Sequence, residues 1–164
     1  MNITESKFYR DKCFINGEWV VADSGETISV NNPATLKEIG TVPKCGTNET
    51  KRAIEAANAS WPEWRSKSAK ERSTIMKKWF DLIISNKEEL AQMMTIEQGK
   101  PLNEARGEIV YGASFIEWFA EEAKRIYGDT IPDPLIDRRI LVLKQPVGVV
   151  ASITPWNFPN AMIT

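Results

Sequence analysis

The sequence predicts an α/β fold in which a small antiparallel β unit precedes several helices and the start of a parallel sheet. Three observations support this prediction. The segment Cys13–Val20 has the pattern of a hairpin around Asn16-Gly17, because both turn positions tolerate positive φ. The middle of the chain carries apolar residues at helical spacing. The apolar run Val147–Ile153 lacks polar alternation, which is typical of a strand that a parallel sheet buries on both faces.

The antiparallel unit is expected to contain further strands after the hairpin. Thr27–Val30 alternates polar and apolar residues, Asn32-Pro33 turns the chain, and Glu38–Val42 returns. The polar residues 1–12 that precede the unit are expected to form a loosely held arm. A purely structural role is the favoured interpretation of this unit.

Two helices are predicted to follow. The first begins at Thr47 or Asn48, either of which can cap it, and Pro62 is expected to end or kink it. The second begins at Ser68–Glu71, a capping box in which the serine and the glutamate each satisfy a free backbone N–H. Its buried stripe is predicted from the helical spacing of four apolar residues: Ile75, Trp79, Leu82 and Ile83.

The third helix is predicted between a second capping box and a glycine–proline stop. Ser85–Glu88 repeats the start signal, and Gly99 with Pro101 ends the helix. Pro101 also suits the first turn of a fourth helix.

The fourth helix is predicted to keep one apolar face for about seven turns. Gly128 is expected to cap its end, and Gly107 and Gly112 suggest close approach of another backbone. Its carboxylates show no pair suited to acid–base work, so a solvated face is expected: Glu104, Glu108, Glu117, Glu121 and Glu122. The apolar face comprises Leu102, Ala105, Ile109, Gly112, Ile116, Ala120, Ala123 and Tyr127.

Composition excludes several classes of function. A net charge of −1 gives no basic face for nucleic acid, and no apolar run approaches the roughly 20 residues of a membrane span. The N-terminus lacks the features of a signal peptide, so a cytoplasmic location is expected. The chain has no histidine, and Cys13 and Cys45 do not form a CxxC pair, so neither a histidine-based dyad nor a metal site is expected.

A compact polar and aromatic loop, Thr-Pro-Trp-Asn-Phe-Pro at residues 154–159, follows the predicted buried strand. Ligands bind in open α/β sheets where the chain leaves the carboxyl end of a strand. The two prolines restrict the loop and favour extended conformations at Thr154 and Phe158. Asn157 is the one amide donor, flanked by two large rings. The loop therefore predicts a binding site, and the alternative is a turn whose asparagine satisfies backbone groups.

The Pro155–Pro159 segment after an apolar run resembles the signature of the NAD(P)-dependent aldehyde dehydrogenase superfamily. Three upstream segments are similar to bacterial succinate-semialdehyde dehydrogenases in particular: Glu97–Pro101, Phe115–Phe119 and Arg125–Asp129. The similarity extends from about Phe8 to Thr164 and covers the N-terminal part of such an enzyme. It implies that the nucleophilic cysteine, the general-base glutamate and the rest of the dinucleotide-binding fold lie beyond Thr164.

The resemblance also implies roles for individual residues. The family oxidises aldehydes with NAD or NADP through a cysteine thiohemiacetal. Asn157 matches the family's side-chain donor to the oxyanion of that adduct. The nicotinamide end of the cofactor cleft is matched by Ile153, Thr154, Pro155, Trp156 and Asn157, and the substrate tunnel by Phe158, Met162, Tyr111 and Trp118.

The resemblance further divides the chain into three parts. Residues 1–128 are expected to belong to the cofactor-binding domain, residues 129–146 to an arm that joins subunits, and residues 147–164 to the first buried strand and the catalytic loop. From the residues alone, Asp129–Arg138 is a loop, and Arg139–Lys144 is a strand whose charged ends suit a sheet edge. The implied partners are a small aldehyde and further copies of the chain, as a dimer or tetramer.

Two functions of different classes remain open. One is oxidation of succinate semialdehyde to succinate by the complete enzyme, with the isolated 164-residue chain inactive; glutarate semialdehyde is a close alternative substrate. The other is a non-catalytic truncated fragment or interaction module. The sequence ends at an uncapped helix start, which predicts that the chain is cut rather than complete.

Overall fold

The computed structural model describes residues 2–164. The helices are α1 (Thr47–Ser66), α2 (Ala69–Ser85), α3 (Lys87–Gln98) and α4 (Leu102–Glu122), with a single 3-10 turn at Ile3–Glu5. The strands are β1 (Cys13–Ile15), β2 (Glu18–Val20), β3 (Thr27–Asn31), β4 (Glu38–Pro43), β5 (Asp129–Pro132) and β6 (Arg139–Val142). The strands pair as three separate antiparallel ribbons, β1–β2, β3–β4 and β5–β6. In the described part of the chain, no helix combines the length and the apolar character that crossing a membrane requires.

The first two ribbons confirm the predicted strands. Asn16 and Gly17 have φ of 52° and 82°, so the two-residue turn of the first hairpin has the left-handed backbone that its sequence favours. Cys13 lies opposite Val20 across this ribbon. The β3–β4 pair keeps its register except for an irregularity between Val30 and Asn31.

The prediction of a loosely held N-terminal arm is wrong. Ile3 is buried, with 4% of its surface exposed. The Ser6 hydroxyl donates to the Glu89 carboxylate over 2.6 Å, and Lys7 Nζ donates to Asn86 Oδ1 over 2.7 Å. Both partners lie more than 75 residues away in the sequence, which is why local composition does not reveal them.

The N-cap of helix α1 precedes both predicted caps, Thr47 and Asn48. Gly46 is the N-cap, and its N–H donates to the Glu49 carboxylate over 2.9 Å. The same buried carboxylate accepts the Asp23 N–H over 2.5 Å, so it joins the helix start to the segment before β3. Pro62 does not end the helix, which continues to Ser66, because a proline removes one backbone donor without preventing the following turn.

The two predicted capping boxes have different outcomes. The first is confirmed, because the Glu71 N–H donates to Ser68 Oγ over 3.3 Å and the Ser68 N–H donates to the Glu71 carboxylate over 2.7 Å. The second is wrong. Ser85 is the last residue of α2, and its hydroxyl donates to the Leu82 carbonyl oxygen over 3.1 Å. Glu88 is instead bound by Arg106 of α4.

The buried face of α2 also differs from the predicted stripe. Ile75, Trp79 and Leu82 are 45–62% exposed, and Ile83 is the predicted member that is buried. Helical spacing identifies an apolar face but not which neighbour covers it, and α2 turns a different face towards α4. The core between α2, α3 and α4 contains Ile83, Ala91, Met94, Ala105, Ile109, Ala113 and Ile116, with Met76, Phe80, Leu90 and Leu102 packed against it.

The predicted apolar face of α4 is confirmed over the helix itself, where Ala105, Ile109, Gly112, Ile116 and Ala120 are buried. Helix α4 nevertheless ends at Glu122. Tyr127 is 64% exposed and Gly128 lies outside the helix, so the extension of the apolar face and the predicted glycine cap are wrong.

The C-terminal segments contain two further corrections. Asp129–Pro132, predicted as part of a loop, forms β5 and pairs with the predicted strand β6. Val147–Ile153 forms no strand, and Val147 and Ile153 are 93% and 98% exposed. A strand of a parallel sheet needs neighbours on both sides, and no segment within residues 2–164 pairs with this run.

Candidate functional site

A cavity of about 590 Å³ lies where the turn between α3 and α4 meets the Pro-Trp-Asn-Phe-Pro loop. Helix α4 forms one wall, and the loop forms the facing wall. Its lining consists of Gln98, Gly99, Lys100, Pro101, Glu104, Gly107, Glu108, Tyr111, Trp156, Asn157 and Phe158. Gly99 has φ of 78°, and its N–H donates to the Thr95 carbonyl oxygen over 2.9 Å, which ends α3 as predicted and turns the chain into the cavity wall.

The structure brings together four of the residues that the sequence singled out. Trp156, Asn157 and Phe158 line the cavity from the loop, and Tyr111 lines it from α4. The other predicted site residues lie outside the lining: Ile153, Thr154, Pro155, Met162 and Trp118. Trp118 is 62% exposed on α4, beyond the part of the helix that faces the loop.

The Asn157 side chain is exposed at the cavity surface. The hydrogen bonds around the loop use other groups, namely the carbonyl oxygens of Trp156 and Phe158 and the Asn160 N–H. Across residues 2–164, no hydrogen bond uses the Asn157 carboxamide. The carboxamide therefore remains free to donate into the cavity, whereas a purely structural turn would use it to satisfy backbone groups.

Gln98, the last residue of α3, and Lys100, in the turn that follows, hold the residues on either side of Asn157. Gln98 Nε2 donates to the Trp156 carbonyl oxygen over 3.1 Å. Lys100 Nζ lies 4.4 Å from the centroid of the Phe158 ring, within the range of a cation–π contact. Both residues belong to the Glu97–Pro101 segment, so this segment, which resembles a family motif, supports the loop.

Phe158 does not have the extended backbone expected of a residue before proline. Its φ is 53°, in the left-handed region that bulky side chains seldom adopt. The Met162 N–H donates to the Phe158 carbonyl oxygen over 2.9 Å and closes the turn that follows. Unusual backbone conformations persist where the surroundings enforce them, and they cluster at functional sites.

Glu108 is a functional candidate that the sequence analysis assigned to a solvated face. That assignment is wrong, because Glu108 is only 4% exposed. Its Oε2 pairs with Lys100 Nζ, and its Oε1 accepts the Asn160 N–H over 2.9 Å and the Ala161 N–H over 3.4 Å. Spacing could have revealed it, since Glu108 lies three residues after Ala105 and four before Gly112 on the buried face.

The predicted close approach of another backbone is wrong at Gly107, and at Gly112 the atoms that approach closely belong to side chains rather than to a backbone. A Cβ atom added at Gly112 would overlap the Asn160 carboxamide and lie 3.1 Å from Thr164 Oγ1. Thr164 Oγ1 also donates to the Gly112 carbonyl oxygen over 2.9 Å. No atom lies within 4 Å of a Cβ added at Gly107, which borders the open cavity.

Other ionisable groups lie outside the cavity. Burial raises the pKa of Glu97, which is not among the residues that line the cavity. Cys13 and Cys45 are half-buried free thiols whose Sγ atoms lie 3.5 Å apart. No group of three acidic, cysteine or histidine side chains within residues 2–164 converges in a way that could hold a metal ion.

Comparison with known proteins places this geometry in context. The model of the aldehyde dehydrogenase family matches residues 19–164. The whole chain is 62% identical to a glutarate-semialdehyde dehydrogenase of Pseudomonas putida, of which it covers 34%, and 58% identical to an NADP-dependent succinate-semialdehyde dehydrogenase of Escherichia coli, of which it also covers 34%.

Solved structures give the same result. A succinate-semialdehyde dehydrogenase of Burkholderia pseudomallei superimposes with a TM-score of 0.91 at 60% identity, covering 94% of this chain and 32% of that one. The match confirms the predicted fold class. The chain spans about a third of the length of the relatives that it matches.

Proposed function

The chain belongs to the aldehyde dehydrogenase family, and we propose that it forms the N-terminal part of an NAD- or NADP-dependent enzyme that oxidises succinate semialdehyde to succinate. The observation that carries this proposal is the exposed Asn157 carboxamide at the cavity, which no hydrogen bond of the loop uses. The residues on either side of it are held from the α3–α4 turn, so the donor sits in a restrained loop.

The proposed role of Asn157 is to donate a hydrogen bond to the oxygen of the aldehyde when that oxygen becomes negatively charged. A nicotinamide dinucleotide, when bound, accepts the hydride that leaves the aldehyde carbon. A carboxamide suits the donor role because it stays neutral at every working pH and donates a hydrogen bond without transferring its proton to the adduct. A donor aimed at developing charge lowers the barrier more than it strengthens substrate binding.

The proposed cofactor contacts involve the nicotinamide end only. Ile153, Pro155 and Trp156 are exposed, so they offer an apolar surface on which a planar ring could lie. We propose that these residues, together with Thr154 and Asn157, border the nicotinamide, and that Phe158, Met162, Tyr111 and Trp118 border the aldehyde. NAD and NADP are both candidate cofactors, because the proposed contacts involve the nicotinamide end that the two dinucleotides share.

Glutarate semialdehyde is the second candidate substrate. The relatives compared above carry both substrate names, with the glutarate enzyme at 62% identity and the succinate enzyme at 58%. The two aldehydes have the same carboxylate and differ by one methylene, which a tunnel discriminates by about 1–3 kcal/mol. Measurement of kcat/KM for both aldehydes with both dinucleotides would decide between them.

The proposed division of the chain gives residues 129–146 an assembly role. Leu141 on β6 and Leu143 just after it are 70% and 78% exposed. Adjacent exposed leucines of this kind often mark a surface that another protein covers. We propose that this ribbon joins copies of the subunit, whereas residues 1–128 and 147–164 serve the cofactor and catalytic clefts. Sedimentation of the complete enzyme with Leu141→Glu should show a smaller assembly.

The test of the catalytic proposal is Asn157→Ala in the complete enzyme. We expect kcat to fall about 10²–10³-fold, as for other side-chain oxyanion donors, with dinucleotide affinity little changed. Asn58→Ala is the matched control, because Asn58 is an exposed asparagine on α1 that does not line the cavity. A purely structural role for Asn157 predicts instead a loss of roughly 1–3 kcal/mol of stability with normal kcat. That outcome would rule out the catalytic role.

The competing class of function is a non-catalytic fragment or interaction module. The proposed nucleophile and general base lie outside these 164 residues, so the isolated chain should not reduce NAD⁺ or NADP⁺. Dinucleotide reduction by purified residues 1–164 with succinate semialdehyde would contradict this expectation. A complete enzyme without activity towards any semialdehyde would favour the interaction module.

A further inference from the structure

Glu108 links helix α4 to the segment that follows Asn157. One carboxylate oxygen accepts two consecutive backbone N–H groups, from Asn160 and Ala161, and the other oxygen pairs with Lys100. The Glu108 side chain is 2% exposed and the Lys100 side chain 15%, so the pair is shielded from water. Breaking such a pair leaves a buried charge without compensation, which makes its geometry difficult to change.

The two N–H groups that Glu108 accepts open the turn of residues 159–163. Amides at the start of a helical turn lack backbone partners and favour a negative charge. Hydrogen bonds from such amides to a carboxylate are about twice as strong as neutral ones. The carboxylate therefore holds the start of this turn, and the first amide that it accepts, that of Asn160, lies three residues after Asn157.

Lys100 extends the same network to the residue beside Asn157. Its ammonium group pairs with Glu108 and lies 4.4 Å from the centroid of the Phe158 ring. Phe158 has the unusual φ of 53°, which its surroundings must enforce. The pair thus holds Phe158 by its ring and Asn160 by its backbone, and Asn157 projects from the short segment beside them.

We propose that Glu108, paired with Lys100, is a positioning residue that sets the location of the Asn157 carboxamide relative to the aldehyde. This role rests on the proposed function of Asn157 as the oxyanion donor. An oxyanion donor is effective only over a narrow range of distance to the developing charge, and a displacement of about 1 Å can cost 10²-fold in rate. Glu108 acts through Asn157 and does not itself touch the substrate in this assignment.

The experiment uses two variants of Glu108 in the complete enzyme. Glu108→Asp keeps the negative charge for Lys100 but draws the acceptor back by one methylene, so Asn160 and the loop must move or lose their bond. Glu108→Gln keeps an acceptor oxygen for the Asn160 N–H but removes the negative charge that pairs with Lys100, so it breaks the other half of the network. We expect each variant to lower kcat by about 10- to 100-fold, because each removes one of the two contacts through which Glu108 holds the segment. The KM for the aldehyde and the affinity for the dinucleotide should change little.

The decisive measurement repeats both variants in an Asn157→Ala background. If Glu108 acts by placing Asn157, Glu108→Asp should lower kcat only slightly once the carboxamide is absent. Equal losses in the two backgrounds would overturn the positioning role, as would a normal kcat for Glu108→Asp with intact Asn157. A normal kcat for Asn157→Ala alone would instead overturn the proposed function, and with it this role. Thermal unfolding of every variant shows whether an observed loss reflects a smaller folded population.

Discussion

The Asn160 N–H donates to Glu108 Oε1 over 2.9 Å, which joins two residues that are 52 positions apart. The bond fixes the start of the turn that follows the loop on the side of helix α4. Gly112 permits this arrangement, because the Asn160 side chain occupies the space where a Cβ at position 112 would lie. On helix α4, Glu108 therefore binds the backbone of Asn160, and Gly112 leaves room for its side chain.

Replacement of Gly112 by alanine should test this contact. The added methyl would collide with the Asn160 carboxamide, so we expect a loss of about 1–3 kcal/mol of stability together with lower kcat. Gly107→Ala on the same helix is the matched control, since its methyl would meet open space and remove the entropic cost of glycine. The free energy of unfolding of Gly107→Ala should rise by roughly 0.5–1 kcal/mol. Urea unfolding of both variants measures the difference, and equal effects would contradict the close approach at Gly112.

The two serines at the ends of α2 give a second matched pair. Ser68 caps the helix by accepting the Glu71 N–H, so Ser68→Ala should lower the free energy of unfolding by about 1 kcal/mol. Ser85 only donates to the Leu82 carbonyl oxygen in the last turn, so Ser85→Ala should cost clearly less. Chemical unfolding of the two variants checks this order. A larger loss at Ser85 would mean that the start of α3 depends on it after all.

Features determined by neighbouring residues were predictable from the sequence. The Asn16-Gly17 hairpin, the Ser68 capping box and the glycine stop at Gly99 each depend on backbone groups a few positions away. The apolar face of α4 was predictable as well, because its period is a local property. Of these elements, the glycine stop and the apolar face of α4 bound the α3–α4 turn, whose residues line part of the cavity.

Features that depend on distant partners were not predictable. The α2 stripe of Ile75, Trp79 and Leu82 and the run Val147–Ile153 are apolar but exposed, since periodicity does not show which surface will be covered. The spacing of Glu108 from Ala105 and Gly112 indicates the buried face, but the backbone amides of Asn160 and Ala161 that satisfy its carboxylate carry no sequence signal. For the site, the sequence identified the loop and Asn157, but it did not indicate which groups hold the loop in place.

The Glu88–Arg106 pair predicts how stability changes in acid. Nε and Nη2 of the Arg106 guanidinium group each donate to the Glu88 carboxylate over 2.7 Å, and with Gln92 they lower the pKa of Glu88 to about 2. A carboxylate whose pKa is lower in the folded state stabilises the fold above the ordinary pKa of 4.5, and this contribution is lost as pH falls towards 2.

Arg106→Gln should therefore unfold earlier at pH 7 and show a shallower loss of stability between pH 4.5 and 2.5 than the unchanged chain. Arg106→Lys, which keeps the charge but loses the two-point contact, should fall between the two. Thermal unfolding across this pH range measures both slopes. Identical slopes in all three proteins would show that the pair does not contribute to acid sensitivity.

The pair of thiols predicts a response at the other end of the pH scale. Burial, and then the neighbouring Cys13 thiol, raise the pKa of Cys45 from 9.0 to about 11. The unfolded chain would release this proton near pH 9 while the folded chain retains it, so stability should decline as pH rises through this interval. Cys45→Ser should remove that part of the decline, which urea unfolding between pH 7 and 10.5 would detect. If the stability of Cys45→Ser declines with pH as steeply as that of the unchanged chain, the raised pKa of Cys45 is contradicted.

The raised pKa of Cys45 and the location of both thiols predict that these cysteines take no part in the chemistry. A thiol with a pKa of about 11 is almost wholly protonated at neutral pH, and the protonated form is a poor nucleophile. Neither cysteine lines the cavity beside Asn157. Cys13→Ser with Cys45→Ser in the complete enzyme should therefore keep kcat within a few-fold, which corresponds to about 1 kcal/mol or less in the barrier. If kcat collapses while the double variant unfolds at the normal temperature, one of these thiols acts in the reaction, and the proposed location of the nucleophile is wrong.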